Sequence, residues 1–183
     1  MLKLLGDYSY YAVCVPIVEN NFLFEVRSSI VAQPLEVSFP GGKIEEGELP
    51  YEAASRELEE ELNLKVNNKM YEIEPLVTPF NTVIFSYIVN VNKSDLKINT
   101  SEVLEVFEVP IEIFAKPIKR ALVDVFLAIP DDFPYELIPN GRNYAWRKGK
   151  YELLFYKWED KIIWGITAKI AQRAYDILRY NTE

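Results

Sequence analysis

The chain contains no histidine in 183 residues. That absence removes histidine-based triads, imidazole metal sites and an imidazole general base, leaving carboxylates, lysine or tyrosine for any proton chemistry. Cysteine is nearly absent as well. Cys14 stands alone, which rules out an internal disulfide and fits a reducing compartment, here expected to be the cytoplasm. It lies in an apolar run, where a buried and inert thiol is the expectation. Positive charge is outnumbered, 20 Lys and Arg against 28 Asp and Glu, for a net charge of −8. A chain of that sign is not expected to bind nucleic acid broadly or to adhere to an anionic membrane. No run is long and apolar enough to cross a bilayer, and the N-terminus lacks a signal-peptide layout.

What is present is a globular composition. Hydrophobic residues make up 49% and aromatic residues 14% of the chain, enough for a packed core. The length fits one domain spanning residues 1–183, with no internal repeat, low-complexity tract or linker. Residues 10–18 and 22–26 form apolar runs joined by an expected hairpin turn at Asn20-Asn21. Pro40-Gly41-Gly42 breaks any strand and supplies a permissive backbone. Residues 71–77 and 82–91 read as strands split by a turn at Pro79, 92–100 as a polar loop, and 103–109 as a strand stopped by Pro110. A short helix is expected at 111–114. Farther on, turns are expected at Asn140-Gly141, Lys148-Gly149 and Glu159-Asp160, with an aromatic strand over 151–158. Thr167 is the expected cap of a last helix with the stripe Ile170, Ala174, Ile177 and Leu178. Strands interleaved with two substantial helices predict an α/β layered domain.

The most informative stretch is 42–64, GKIEEGELPYEAASRELEEELNL. Pro50 suits a first helical turn, where its missing N–H costs nothing. Tyr51, Ala54, Leu58 and Leu62 make a stripe suited to packing on a sheet. Glu57, Glu60 and Glu61 fall within about 100° of the helix wheel. Carboxylates so crowded repel one another unless a cation sits among them, and hard cations such as Mg²⁺ take oxygen ligands. An acidic helix face is, taken alone, more often a solvated face.

The spacing decides between these. Gly42, Glu48 and Arg56-Glu57-Leu58-Glu59-Glu60-Glu61-Leu62-Asn63-Leu64 resemble the Nudix box, G-x5-E-x7-R-E-U-x-E-E-x-G-U, at every fixed position but the last glycine, which here is Asn63. Asn is the next-best residue at a left-handed helix stop. Upstream, Phe22-Leu23-Phe24, Arg27, Ser28 and Phe39-Pro40-Gly41-Gly42 are similar to the segment that coenzyme A pyrophosphatases of this superfamily carry before the box. The similarity departs around Ala32 and at Leu35 or Glu36. Residues 102–110 and 164–168 are similar to that group too.

The resemblance implies a Nudix α-β-α sandwich with a mixed sheet, a small-molecule nucleotide substrate, and Mg²⁺ or Mn²⁺ as cofactor. It implies that Glu57, Glu60 and Glu61 hold the metal with the carbonyl of Gly41, and that Arg56 orients the glutamates for catalysis. Glu48 serves as an outer ligand or a structural support, and for Arg56 and Glu48 a purely architectural role stands level. Arg27 and Gly42 are candidate substrate contacts, though a lone arginine at a strand end is more often a surface residue. Glu102 or Glu105 is a further ligand or base, or else half of an ordinary ion pair. The implied activity is hydrolysis of coenzyme A to 3′-phosphoadenosine-5′-phosphate and phosphopantetheine by a monomer or homodimer. The alternatives are ADP-ribose, dinucleotides or nucleoside triphosphates as substrates, or a non-catalytic nucleotide-binding module.

Overall fold

The structure, a computed structural model, describes residues 4–30 and 33–181, so Ala32 lies outside the described residues. In chain order the elements are β1 (Ser9–Val18), β2 (Asn21–Arg27), β3 (Val37–Ser38), β4 (Gly41–Lys43), α1 (Pro50–Leu62), β5 (Val66–Val77), β6 (Thr82–Val91), β7 (Val103–Pro110), β8 (Lys119–Phe126), β9 (Lys148–Trp158), β10 (Lys161–Trp164) and α2 (Gly165–Tyr180). β1 and β6 run parallel in unbroken register from Ser9 opposite Thr82 to Ile17 opposite Asn90. Both are nearly all apolar because both faces are covered, as expected of central strands.

Alternation along these two strands sorts the core into two layers. Ala12 and Cys14 of β1, with Val83, Phe85, Tyr87 and Val89 of β6, pack under Ala53, Ala54, Leu58 and Leu62 of α1. Val15 and Ile17, with Ile84 and Ile88, face the opposite way, toward Phe22, Phe24, Phe114, Tyr156 and the α2 residues Ala168, Ile170, Ala171 and Ala174. The result is a mixed α/β fold with a helix on each face of a mixed seven-stranded sheet. β8, β9 and β10 form a separate antiparallel three-stranded sheet.

Three features of this sheet position the α1 surface. β4 pairs antiparallel with β1, Val13 opposite Gly41 and Ala12 opposite Gly42, so the glycines lie against the central strand. β2 stays with β1 only at the hairpin, then diverges to pair with β3 and β7. Gly41 has no room for a side chain: a Cβ there would lie 2.5 Å from the Ala12 carbonyl oxygen and 2.7 Å from Val13 Cα.

Several local expectations shift. The first hairpin turns at Glu19-Asn20, with Glu19 at φ 55°, and Asn21 already pairs with Val18. Lys148-Gly149 is not a turn. It opens β9, where pairing with Val125 and Phe126 of β8 holds it extended. Thr167 does not cap α2: the helix begins at Gly165 after Trp164, leaving Thr167 inside its first turn. β8 and β10 have no counterpart in the sequence-based assignment. β8 is exposed along most of its length, so no buried stripe marks it. Its pairing with β9 is reinforced by an Arg120–Glu152 ion pair at 3.2 Å and by contact between Lys150 and Asp124.

Candidate functional site

The α1 helix starts where its sequence requires. The Glu52 carboxylate accepts the Leu49 N–H at 3.1 Å, satisfying one donor the first turn leaves open. It stops at Asn63, which adopts the left-handed conformation (φ 55°, ψ 27°) and donates its N–H to Glu59 O at 2.9 Å. Asn63 thus does the work of the expected glycine, and its Nδ2 also donates to Asp95 O at 2.9 Å.

Between these ends, Arg56 gathers three carboxylates. Its Nε donates to Glu48 Oε1 at 2.9 Å and its Nη2 to Glu48 Oε2 at 3.2 Å, a forked pair. Its Nη1 donates to Glu57 Oε1 at 2.8 Å and to Glu60 Oε2 at 3.0 Å. The Arg56 hydrogen bond is the main cause holding the Glu48 pKa down. Glu60 sits at the rim, with its side chain 55% exposed.

Glu57 and Glu61 turn inward. Glu61 is 5% exposed, and its Oε2 accepts the Gly41 N–H at 2.9 Å. Burial first, then the negative charge of Glu25, pushes its pKa up to about 9, against the Gly41 N–H and Arg27, which pull it down. Glu57 is raised chiefly by burial and lowered by Arg56. A Cβ on Gly42 would lie 2.2 Å from Glu57 Oε1, so the glycine turn makes the space that Glu57 fills.

Glu25 is the member sequence reasoning missed. It is 0% exposed in the middle of β2. Its Oε1 accepts the Ser38 hydroxyl at 3.0 Å, while Oε2 is buried without a partner among the described residues. Burial pushes its pKa up to about 7, with Glu102 and Glu57 adding to the rise and Ser38 and Arg27 opposing it. A signal was available: one carboxylate interrupts the apolar run Phe22–Val26, a residue type almost never fully buried without a reason.

Glu102 and Arg27 reach this group electrostatically. Glu102 raises both Glu25 and Glu57, and its Oε2 accepts from Asn99 Nδ2 at 3.1 Å. Arg27 ends β2, with its N–H on Glu36 O at 2.9 Å, and its charge lowers Glu25 and Glu61. Glu105 is not brought in. It pairs opposite Val26, whose side chain lies in the α2 layer, and its carboxylate sits 3.1 Å from Lys161 Nζ. The period of two therefore aims Glu105 away from α1.

The ligating atoms that Glu57, Glu61 and the Gly41 carbonyl could offer are all oxygen, the set that suits hard divalent cations. A buried carboxylate oxygen without a partner and a backbone cleared by Gly41 and Gly42 agree with that chemistry. As they stand, Arg56 engages Glu57 and Glu60, and Gly41 engages Glu61. Among the described residues no three carboxylates are gathered closely enough to hold an ion without side-chain movement. An open cleft of about 540 Å³ includes none of these carboxylates in its lining, which runs through Val18, Asn67, Asn92 and Glu108.

Comparison with known proteins agrees with this architecture. An 8-oxo-dGTP diphosphatase of Haemophilus influenzae is 44% identical over 91 residues, covering 46% of this chain and 65% of the relative. The crystal structure of a NUDIX hydrolase from Nitrosomonas europaea superposes with a TM-score of 0.51 at 23% identity, covering 60% of this chain and 64% of that one. The chain thus spans somewhat under two thirds of the length of each. No helix among the described residues is long and apolar enough to cross a membrane. The NUDIX domain model matches residues 9–126, from β1 through the box helix to the end of β8, and on that match this chain belongs to the Nudix family.

Proposed function

We propose that this chain, acting as a single domain, is a divalent-cation-dependent hydrolase that cleaves a pyrophosphate bond in a small nucleotide. The observation that carries the reading is the convergence of Glu57 and Glu61 on the Gly41-Gly42 turn, with Arg56 tying Glu57 to Glu48. A pyrophosphate resists attack because its anionic oxygens repel a nucleophile. A bound Mg²⁺ or Mn²⁺ supplies charge neutralisation and makes an attacking water easier to deprotonate. Glu57 and Glu61 would hold the ion, with the Gly41 carbonyl beside them. Arg56 would keep Glu57 oriented, and Glu60 would serve from the rim. With no histidine in the chain, removal of the water proton falls to one of these carboxylates or to Glu102. The retained Glu57, Glu60 and Glu61 argue against a purely binding module, because burying Glu57 and Glu61 is costly without a cation to offset it.

Two substrate readings stand. Coenzyme A rests on Phe22 to Gly42, where Arg27 would offer a guanidinium to phosphate oxygens. A nucleoside triphosphate such as 8-oxo-dGTP rests on the 44% identity to the Haemophilus relative, and this observation is the more specific of the two. Purified protein with Mg²⁺ or Mn²⁺ would be presented with coenzyme A, dephospho-coenzyme A, ADP-ribose and 8-oxo-dGTP, with products read by mass spectrometry. Pyrophosphate and nucleoside monophosphate from 8-oxo-dGTP support the second reading. Preference for coenzyme A, lowered about 10- to 100-fold in kcat/KM by Arg27→Ala, supports the first. No cleavage of any of the four with either metal would overturn the proposed function.

A further inference from the structure

Ser38 and Gly41 lie three residues apart and each holds one buried carboxylate. The Ser38 hydroxyl donates to Glu25 Oε1 at 3.0 Å, and the Gly41 N–H donates to Glu61 Oε2 at 2.9 Å. The segment 38–41 therefore brings a carboxylate from β2 and one from α1 to the same stretch of backbone. Strand alternation agrees. Glu25 sits opposite Val106, and Leu23 and Val106 both belong to the α1 layer, so Glu25 projects toward α1. The side chain is wholly buried, yet Oε2 has no partner among the described residues. A buried carboxylate with an unmet oxygen is costly and calls for a compensating charge or donor.

Resting on the proposed hydrolase reading, we infer that Glu25 is a further ligand of the divalent cation, supplied by β2 and held in place by Ser38. Glu25 lies outside the box, so this site would draw a carboxylate from the sheet as well as from the helix. Ser38 occupies one oxygen and leaves Oε2 for the ion, a division that fixes the orientation of a ligating carboxylate. An all-oxygen set of this kind matches Mg²⁺ or Mn²⁺ rather than a softer metal.

The test uses Mn²⁺ alone on the full chain, without substrate, read by titration calorimetry and by the electron paramagnetic resonance signal of bound Mn²⁺. Glu25→Gln keeps an oxygen for the Ser38 hydroxyl but removes the charge. It is expected to weaken Mn²⁺ binding about 10- to 100-fold, while the metal-free variant unfolds at or above the wild-type temperature. Mn²⁺ affinity equal to wild type in Glu25→Gln would overturn the inference and leave Glu25 as a buried carboxyl bonded to Ser38. Loss of binding in Glu61→Gln but not in Glu25→Gln would overturn the inference alone and leave the hydrolase reading standing. Failure of the wild-type chain to bind Mn²⁺ would overturn both. Should Glu25→Gln not fold, Ser38→Ala decides instead: it releases Oε1, and an unchanged Mn²⁺ affinity counts against Glu25 as a ligand.

Discussion

Glu61→Gln should stabilise the metal-free protein, and should do so only above mildly acidic pH. The Glu61 carboxyl is pushed from 4.5 up to about 9, first by burial and then by the charge of Glu25. Between those two values the folded state binds more protons than the unfolded state, so stability falls as pH rises. The loss is absent below pH 4.5, grows by about 1.4 kcal/mol per pH unit, and levels off above the folded pKa. At pH 8 it amounts to about 3–5 kcal/mol. Glutamine cannot ionise, and its amide oxygen can still accept the Gly41 N–H. Thermal unfolding in EDTA at pH 8 should therefore place Glu61→Gln roughly 6–20 °C above wild type, with the gap closing at the lowest pH at which both remain folded. With Mg²⁺ or Mn²⁺ and substrate, the same variant should lose turnover by orders of magnitude. A variant less stable than wild type by the same amount at both pH values would refute the reasoning, since it would mark Glu61 as a structural group.

The two glycines of the turn should behave differently on substitution by alanine. Gly41→Ala places a Cβ against the backbone of Ala12 and Val13 and should cost about 3 kcal/mol or more, seen in chemical denaturation. The atoms nearest a Gly42→Ala Cβ are those of the movable Glu57 carboxylate, so the variant should fold but bind Mn²⁺ about 10-fold or more weakly by calorimetry. Glu105→Gln should leave kcat/KM within about twofold, because its partner is Lys161 on the α2 side. Glu102→Gln, whose charge reaches Glu25 and Glu57, should lower it about 10-fold or more; equal effects of the two in steady-state kinetics would refute the facial assignment.

The box helix was legible to the residue at its start and nearly so at its end, because Pro50, the Leu58 and Leu62 stripe and the Asn63 stop are local signals. The central strands were legible for a similar reason: 10–18 and 82–91 are apolar runs bounded by turn residues. Elements whose identity depends on a distant partner were not. β8 becomes a strand through pairing with β9, more than 20 residues farther along the chain, and Gly149 is held extended by that same pairing.

The sequence by itself determined the α/β class, the family and the carboxylates of the helix, because helical spacing alone sets which of Glu57, Glu60 and Glu61 share a face. Only the tertiary structure decided how those carboxylates are used. Arg56 draws Glu60 to the rim and ties Glu57 to Glu48, while Glu61 is buried on the Gly41 N–H. The structure also brought Glu25 in and left Glu105 out. Neither is a property of local spacing, since the outcome depends on which face of β2 and β7 turns toward α1, and a single residue of register exchanges the two faces.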